Sequence, residues 1–290
     1  MHIQRNISVK STNHSKPILT DVFYKSNFKK KPIIIFCHGY KGYKDWGAWN
    51  LAAEEFVKND VFFLKFNFSH NGGTVENPID FPDLEAFGHN NFITELDDLE
   101  DIINWIITSE YLNEIDINDI TLIGHSRGGG IVSLKASENK KIKKVISWSG
   151  VSDFGKRFPV GETLKLWEKA GVSYIQNSRT KQQMPHYFQF YTSFKINEER
   201  LTIQKAVSNL KIPHLIIHGE NDEVVKIEEA NNLHTWNANS TLILIKEMNH
   251  PLGCTQPWEQ KEMPTYLAQV VKESINFIKH LMKYNFCQSE

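Results

Sequence analysis

The sequence predicts an α/β domain built on a doubly wound, mostly parallel sheet, with a helical cap inserted past its middle. Three observations carry this expectation. Short β-branched runs recur along the chain, and helical periodicity fills the intervals between them. From 151 to 210 that alternation lapses while aromatic residues crowd in. With 290 residues, 40% hydrophobic and 23% charged, the chain can bury one large core. The expected division is a core of 1–150 and 211–290 with 151–210 as the insertion.

In chain order, residues 3–10 and 18–25 suit an antiparallel hairpin at the sheet edge. Lys31 and Pro32 then introduce Ile33 to Phe36, a run without polar interruption, as expected of a strand buried on both faces. Runs at 61–68, 119–124, 144–149, 214–219 and 241–246 repeat the pattern, giving six core strands. Phe92, Leu96, Leu99, Ile103 and Ile106 step by four and three, the spacing of one helix face, so Glu95, Asp97, Asp98 and Asp101 should face solvent. Leu267, Val271, Ile275 and Ile278 mark another such helix. Between 151 and 210 no run reads as a strand, and a structureless loop of that length is at odds with a compact domain. A helical cap over the sheet is the expectation there, although Tyr187, Phe188, Phe190, Tyr191 and Phe194 alternate too irregularly to show which of them face a site.

Composition excludes several classes of function. A net charge of -1 gives no general attraction to phosphate backbones or anionic lipid, so neither nucleic acid nor a membrane surface is expected as partner. The opening MHIQRNISVK lacks the layout of a signal peptide, and no apolar stretch approaches the roughly 18 residues of a bilayer span. Cys37, Cys254 and Cys287 are odd in number and widely spaced, forming neither a disulfide framework nor a zinc pattern. A cytoplasmic protein acting on a small, roughly neutral molecule is expected, and the sequence leaves its oligomeric state open. Among the 12 histidines, His38, His70, His125, His218 and His250 show no short ligand spacing, so no metal is expected. The glycine-rich GHSRGGG lacks the lysine of a P-loop and the G-x-G spacing of a dinucleotide site, so no cofactor is expected either.

Chemistry concentrates at Gly124-His125-Ser126-Arg127-Gly128, between a strand and a helix. A serine on such a turn takes a strained backbone that projects its hydroxyl from the sheet edge, and the helix N-terminus behind it favours negative charge. The same turn also suits a serine that merely caps the helix. GHSRGG after a hydrophobic strand resembles the nucleophile elbow of the α/β-hydrolase superfamily, and the likeness runs from about Ile33 onward.

The resemblance implies the order serine, acid, histidine. Asp222, in the HGEND segment after the 214–219 run, is then the acid, with Asp153 as the other position the family allows. His250, in the loop after the last strand, is the base. Backbone N–H groups of Tyr40 and Arg127 would form the oxyanion hole, with His38 supporting the loop that carries Tyr40. Phe68 to Gly73 reads as a tight turn, with contact to substrate as the alternative. The longer run HGYKGYKDWG resembles feruloyl and cinnamoyl esterases and serine aminopeptidase-like hydrolases. A carboxylesterase that acts on small acyl or aryl esters through an acyl-enzyme is the activity implied, with a peptidase or amidase on the same triad, or a catalytically silent binding protein, as alternatives.

Overall fold

The structure, a computed structural model, describes residues 1–286, with side chains through Lys279; Cys287 lies outside the described residues. A hairpin, β1 (His2–Val9) and β2 (Ile18–Tyr24), opens the chain. There follow β3 (Lys31–Cys37), α1 (Trp49–Lys58), β4 (Phe62–Phe66), α2 (Leu84–His89), α3 (Phe92–Ile106), β5 (Ile115–His125), α4 (Arg127–Glu138) and β6 (Ile142–Trp148). After a short 3-10 turn come α5 (Gly161–Ala170), β7 (Val172–Gln176), β8 (Gln183–Tyr187), α6 (Gln189–Ile196) and α7 (Ile203–Ser208). The chain closes with β9 (His214–Gly219), α8 (Ile227–Trp236), β10 (Ser240–Ile245) and α9 (Thr265–Phe286).

Eight strands form one sheet in the order β1-β2-β4-β3-β5-β6-β9-β10. β1 and β2 run antiparallel at one edge, and every pairing from β4 to β10 is parallel. β3 pairs with β4 and β5 along its two edges and helices pack on both of its faces, which is why Ile33 to Phe36 is unbroken by polar residues. Ile33 and Ile35 point into a layer with α3, α4, α7 and α8, while Ile34 and Phe36 point into the opposite layer with α1 and α9. The doubly wound α/β fold read from the strand runs is the fold observed.

Two local expectations require correction. Glu95, Asp98 and Asp101 do not face solvent; all three are buried. The chain between β1 and β2 and the turn after β4 cover that side of α3, supplying partners that a helical period cannot reveal. Asp101 accepts from the Ser11 hydroxyl and the Thr12 N–H, and Asp98 from the N–H and hydroxyl of Ser69. Between 151 and 210 the helices are joined by a two-stranded antiparallel hairpin, β7–β8, which the sequence did not reveal. Pro185 lies within the second strand, where a proline argues against a strand, and half-exposed β7 carries no run of buried apolar residues to mark it.

Candidate active site

The site assembles at the carboxyl edge of the parallel strands, where loops converge in open α/β sheets. Ser126 stands between β5 and α4 with φ at 58° and ψ at -121°, a conformation an L-residue holds only when its surroundings enforce it. Glycines enforce it here. A Cβ on Gly124 would lie 2.2 Å from the Gly128 carbonyl oxygen, and one on Gly128 would lie 2.4 Å from that of Cys37. The Ser126 N–H donates to Trp148 O at 3.0 Å, and its carbonyl accepts from Gly129 at 2.9 Å. The Ser126 hydroxyl makes no capping hydrogen bond to α4, which disposes of the helix-cap reading.

That hydroxyl faces an imidazole instead. His250 Nε2 stands 3.0 Å from Ser126 Oγ, and His250 Nδ1 stands 2.8 Å from Asp222 Oδ2. The second carboxylate oxygen of Asp222 accepts from the Val224 and Val225 N–H groups at 2.9 and 2.8 Å. Burial alone would raise the Asp222 pKa, but the His250 hydrogen bond and charge and the Val225 N–H outweigh it and hold the pKa below the usual carboxylate value. An ionised Asp222 fixes the proton on Nδ1, which leaves the Nε2 lone pair toward the hydroxyl. The three residues singled out in the sequence are thus brought together. Asp153 is not among them: half-exposed, it accepts from the Lys156 N–H.

Gly39 packs so close that a Cβ there would meet Ser126 Cβ at 2.8 Å, which sets the following N–H of Tyr40 beside the serine. Among the described residues neither the Tyr40 nor the Arg127 N–H donates to a backbone acceptor, and both border the same space. His38 braces this loop, its Nδ1 donating to Gly39 O at 2.8 Å and its Nε2 accepting from the Phe68 N–H at 3.2 Å. Burial pushes its pKa down to about 4, consistent with that neutral tautomer. Phe68 to Gly73 forms a turn, closed by Asn71 N–H to Phe68 O.

A cavity of about 780 Å³ opens over Ser126, between the sheet edge and the 151–210 segment. Its walls are largely apolar, with Phe92, Phe154, Phe158, Trp167 and Phe190 inside and exposed Leu166, Ile175 and Val224 among its lining residues. Of the five aromatics left open by the sequence, Phe190 alone lines this cavity among the described residues. Tyr187 donates to Glu85, Phe188 packs on Trp167, and Tyr191 and Phe194 pack on Phe158.

Sequence reasoning missed four residues here. His125 donates from Nε2 to the His250 carbonyl at 2.9 Å and is held neutral, its pKa driven to about 3 chiefly by burial. His186 on β8 takes the Tyr40 hydroxyl proton into a 2.6 Å hydrogen bond. The Arg127 side chain stacks over the Tyr40 ring at 4.5 Å and bonds buried Glu95 at 3.2 Å. The position of Arg127 after the serine pointed only to its backbone, and nothing in the sequence pairs residue 40 with 186 or 95 with 127. Among the described residues no group of three or more histidines, cysteines and carboxylates could hold a metal ion, and no helix is long and apolar enough to cross a membrane.

Comparison with known proteins bears on the family and the fold. The BD-FAE family model matches residues 20–237. The chain belongs to the BD-FAE family. Est1E from Butyrivibrio proteoclasticus is similar in structure, with a TM-score of 0.70 over 98% of this chain and 100% of that one at 17% identity. DcsB, solved in complex with its substrate analogue, gives 0.72 over 96% and 99% at 15% identity. A monoacylglycerol lipase from Paleococcus ferrophilus gives 0.63 over 90% and 98% at 16% identity. A comparison with curated proteins finds no match. At these identities the neighbours establish the α/β-hydrolase fold, and with the BD-FAE family they support a hydrolase, with ester hydrolysis as its general chemistry.

Proposed function

We propose that this BD-FAE protein is a serine hydrolase that cleaves carboxylic esters of small acyl or aryl substrates through an acyl-enzyme. The observation that carries the reading is the continuous relay from Ser126 Oγ through His250 to Asp222, at 3.0 and 2.8 Å. His250 Nε2 takes the proton as Ser126 Oγ attacks the ester carbon, and Asp222 stabilises the imidazolium. The Tyr40 and Arg127 N–H groups receive the developing oxyanion. His250 then returns the proton to the leaving alcohol, and water releases the acid by the same steps in reverse order. A cavity of about 780 Å³ with aromatic walls suits a compact acyl or aryl group, which supports the small-substrate reading. Est1E has been solved with ferulic acid bound, an aromatic acid of that scale.

We read 151–210 as the cap of the site, flanked by a core of 1–150 and 211–290, and the cytoplasm as its location. Labelling by a fluorophosphonate probe tests the nucleophile. Wild type should be labelled and S126A should not; equal labelling of both removes Ser126 from the role. A panel of para-nitrophenyl esters beside aminoacyl para-nitroanilides tests the bond cleaved, and faster anilide cleavage would replace esterase with peptidase or amidase.

A further inference from the structure

Arg127 carries more donors than its surroundings use. Its guanidinium lines the cavity one residue past Ser126, 4.5 Å from the centre of the Tyr40 ring and 5.3 Å from those of Phe92 and Phe190. A guanidinium has five N–H donors. Among the described residues this one makes a single hydrogen bond, Nη1 to Glu95 Oε1 at 3.2 Å, and Glu95 lies buried behind it, outside the cavity lining. The remaining edge of the fork is free of protein partners and borders the cavity, so it is available to a group that enters there.

The rest of the cavity indicates the sign of that group. No carboxylate lines it among the described residues; its other charged wall residue, Arg157, is already paired with Glu229, which leaves Arg127 as the cation that faces an entering group. Lys41 lies 5.3 Å from the Tyr40 ring, over which Arg127 also stands, adding a further cation near that wall. His186, also in the wall, feels this field: burial, then Arg127, then Lys41 push its pKa down to about 4. A positive potential in apolar surroundings selects an anion, and the apolar walls require that the anion be part of a largely apolar molecule.

We propose that Arg127 recognises a carboxylate carried by the substrate, so that the esters this site takes are those with an apolar body and one free carboxylate. The inference rests on the hydrolase reading above and assigns the substrate class within it. The planar fork meets a carboxylate edge-on through two parallel hydrogen bonds, a match a lysine ammonium does not offer. Tyr40, Phe92 and Phe190 flank the guanidinium and lower the polarity around it, which strengthens the charge-assisted bonds. The carboxylate is a spectator; the bond broken is still the ester bond at Ser126.

Two substrate pairs test this. The para-nitrophenyl monoester of adipic acid is compared with para-nitrophenyl hexanoate, and para-acetoxybenzoate with phenyl acetate, so that the carboxylate sits on the acyl part in one pair and on the alcohol part in the other. Within each pair the ratio of kcat/KM for the anionic over the neutral ester is measured for wild type, R127M, R127K and the double variant R127M/E95Q. The double variant removes both members of the buried pair, so a folding defect in R127M does not hide the answer. In at least one pair the ratio should fall by about 10- to 100-fold in R127M and R127M/E95Q, the range set by loss of charge-assisted hydrogen bonds, with R127K between. Turnover of the neutral esters with ratios unchanged by the variants in both pairs overturns the carboxylate assignment and leaves the hydrolase reading standing. No turnover of any of the four esters by wild type overturns both.

Discussion

Asp222 and His250 meet at 2.8 Å while the other oxygen of Asp222 is held by two backbone N–H groups, so the carboxylate has no freedom to serve another partner. Replacing Asp222 with Asn keeps the shape but presents a donor to Nδ1, which favours the wrong histidine tautomer. We expect kcat for ester hydrolysis to fall by roughly 10³- to 10⁴-fold with the fold retained. Asp153→Asn, which alters only a half-exposed bond to the Lys156 N–H, should fall less than about two-fold, the scale of surface substitutions. The reverse ranking would move the acid to Asp153.

His125 contributes to the same array through the backbone. Its Nε2 donates to the carbonyl of His250, and its ring packs at a tilt with its centre 4.9 Å from that of the His250 ring, so it sets where the base stands without touching substrate. Leucine at 125 leaves that carbonyl unpaired and frees the loop. A kcat loss of about 5-fold with KM nearly unchanged is expected, since losing one such bond is worth about 1 kcal/mol. Glutamine, which can donate from a similar place, should restore most of it. A rise in KM alone, or no recovery in H125Q, would show that His125 fills space and positions nothing.

The contrast between His125 and Ser126 shows what was legible from sequence. Ser126, Asp222 and His250 each follow a strand, and strands announce themselves by apolar runs that do not depend on distant partners. His125, His186 and the Arg127 side chain act through contacts between residues 125 and 250, 40 and 186, and 95 and 127, which no local pattern encodes. Glu95, Asp98 and Asp101 failed for the same reason: a helical period separates polar from apolar faces, but it cannot show that the polar face will be covered. The β7–β8 hairpin was hidden because its strands bury little and one contains Pro185.

One of those covered carboxylates makes stability depend on pH. His14 Nε2 lies 3.0 Å from Asp98 Oδ1, and the hydrogen bond and charge of Asp98, against some burial, raise the His14 pKa. Burial shifts the Asp98 pKa upward as well, yet it still accepts from Ser69 twice and from His14, so the pairing direction at His14 is the one that governs near neutrality. A histidine whose pKa is raised by folding contributes stability fully below its unfolded value, about 6.5, and loses it as pH rises through the folded value. The melting temperature of wild type should therefore exceed that of H14Q most near about pH 6, with the gap narrowing toward about pH 9. A gap that is constant or widens with pH would mean that His14 is not charged against Asp98.

The hydrogen bond between Tyr40 and His186 joins the loop after β3 to the hairpin above the cavity, at 2.6 Å. Burial raises the Tyr40 hydroxyl to about 12 and, with Arg127 and Lys41, lowers His186 to about 4, so across the working range the hydroxyl donates and the imidazole accepts. Y40F removes the donor and leaves Nε2 of a mostly buried histidine unpaired, while the ring stays to stack on Arg127. The loss of one such bond costs about 1–2 kcal/mol, which for a chain of this size lowers the melting temperature by about 2–6 °C. Because Tyr40 and His186 both line the cavity, loosening this wall should raise KM for aryl esters, by at most the about 5- to 30-fold equivalent to that energy, and change kcat less. A collapse of kcat at unchanged KM would instead show that the hydroxyl acts on the reacting ester. No change in KM, kcat or melting temperature would show that the bond between loop and hairpin holds nothing in place.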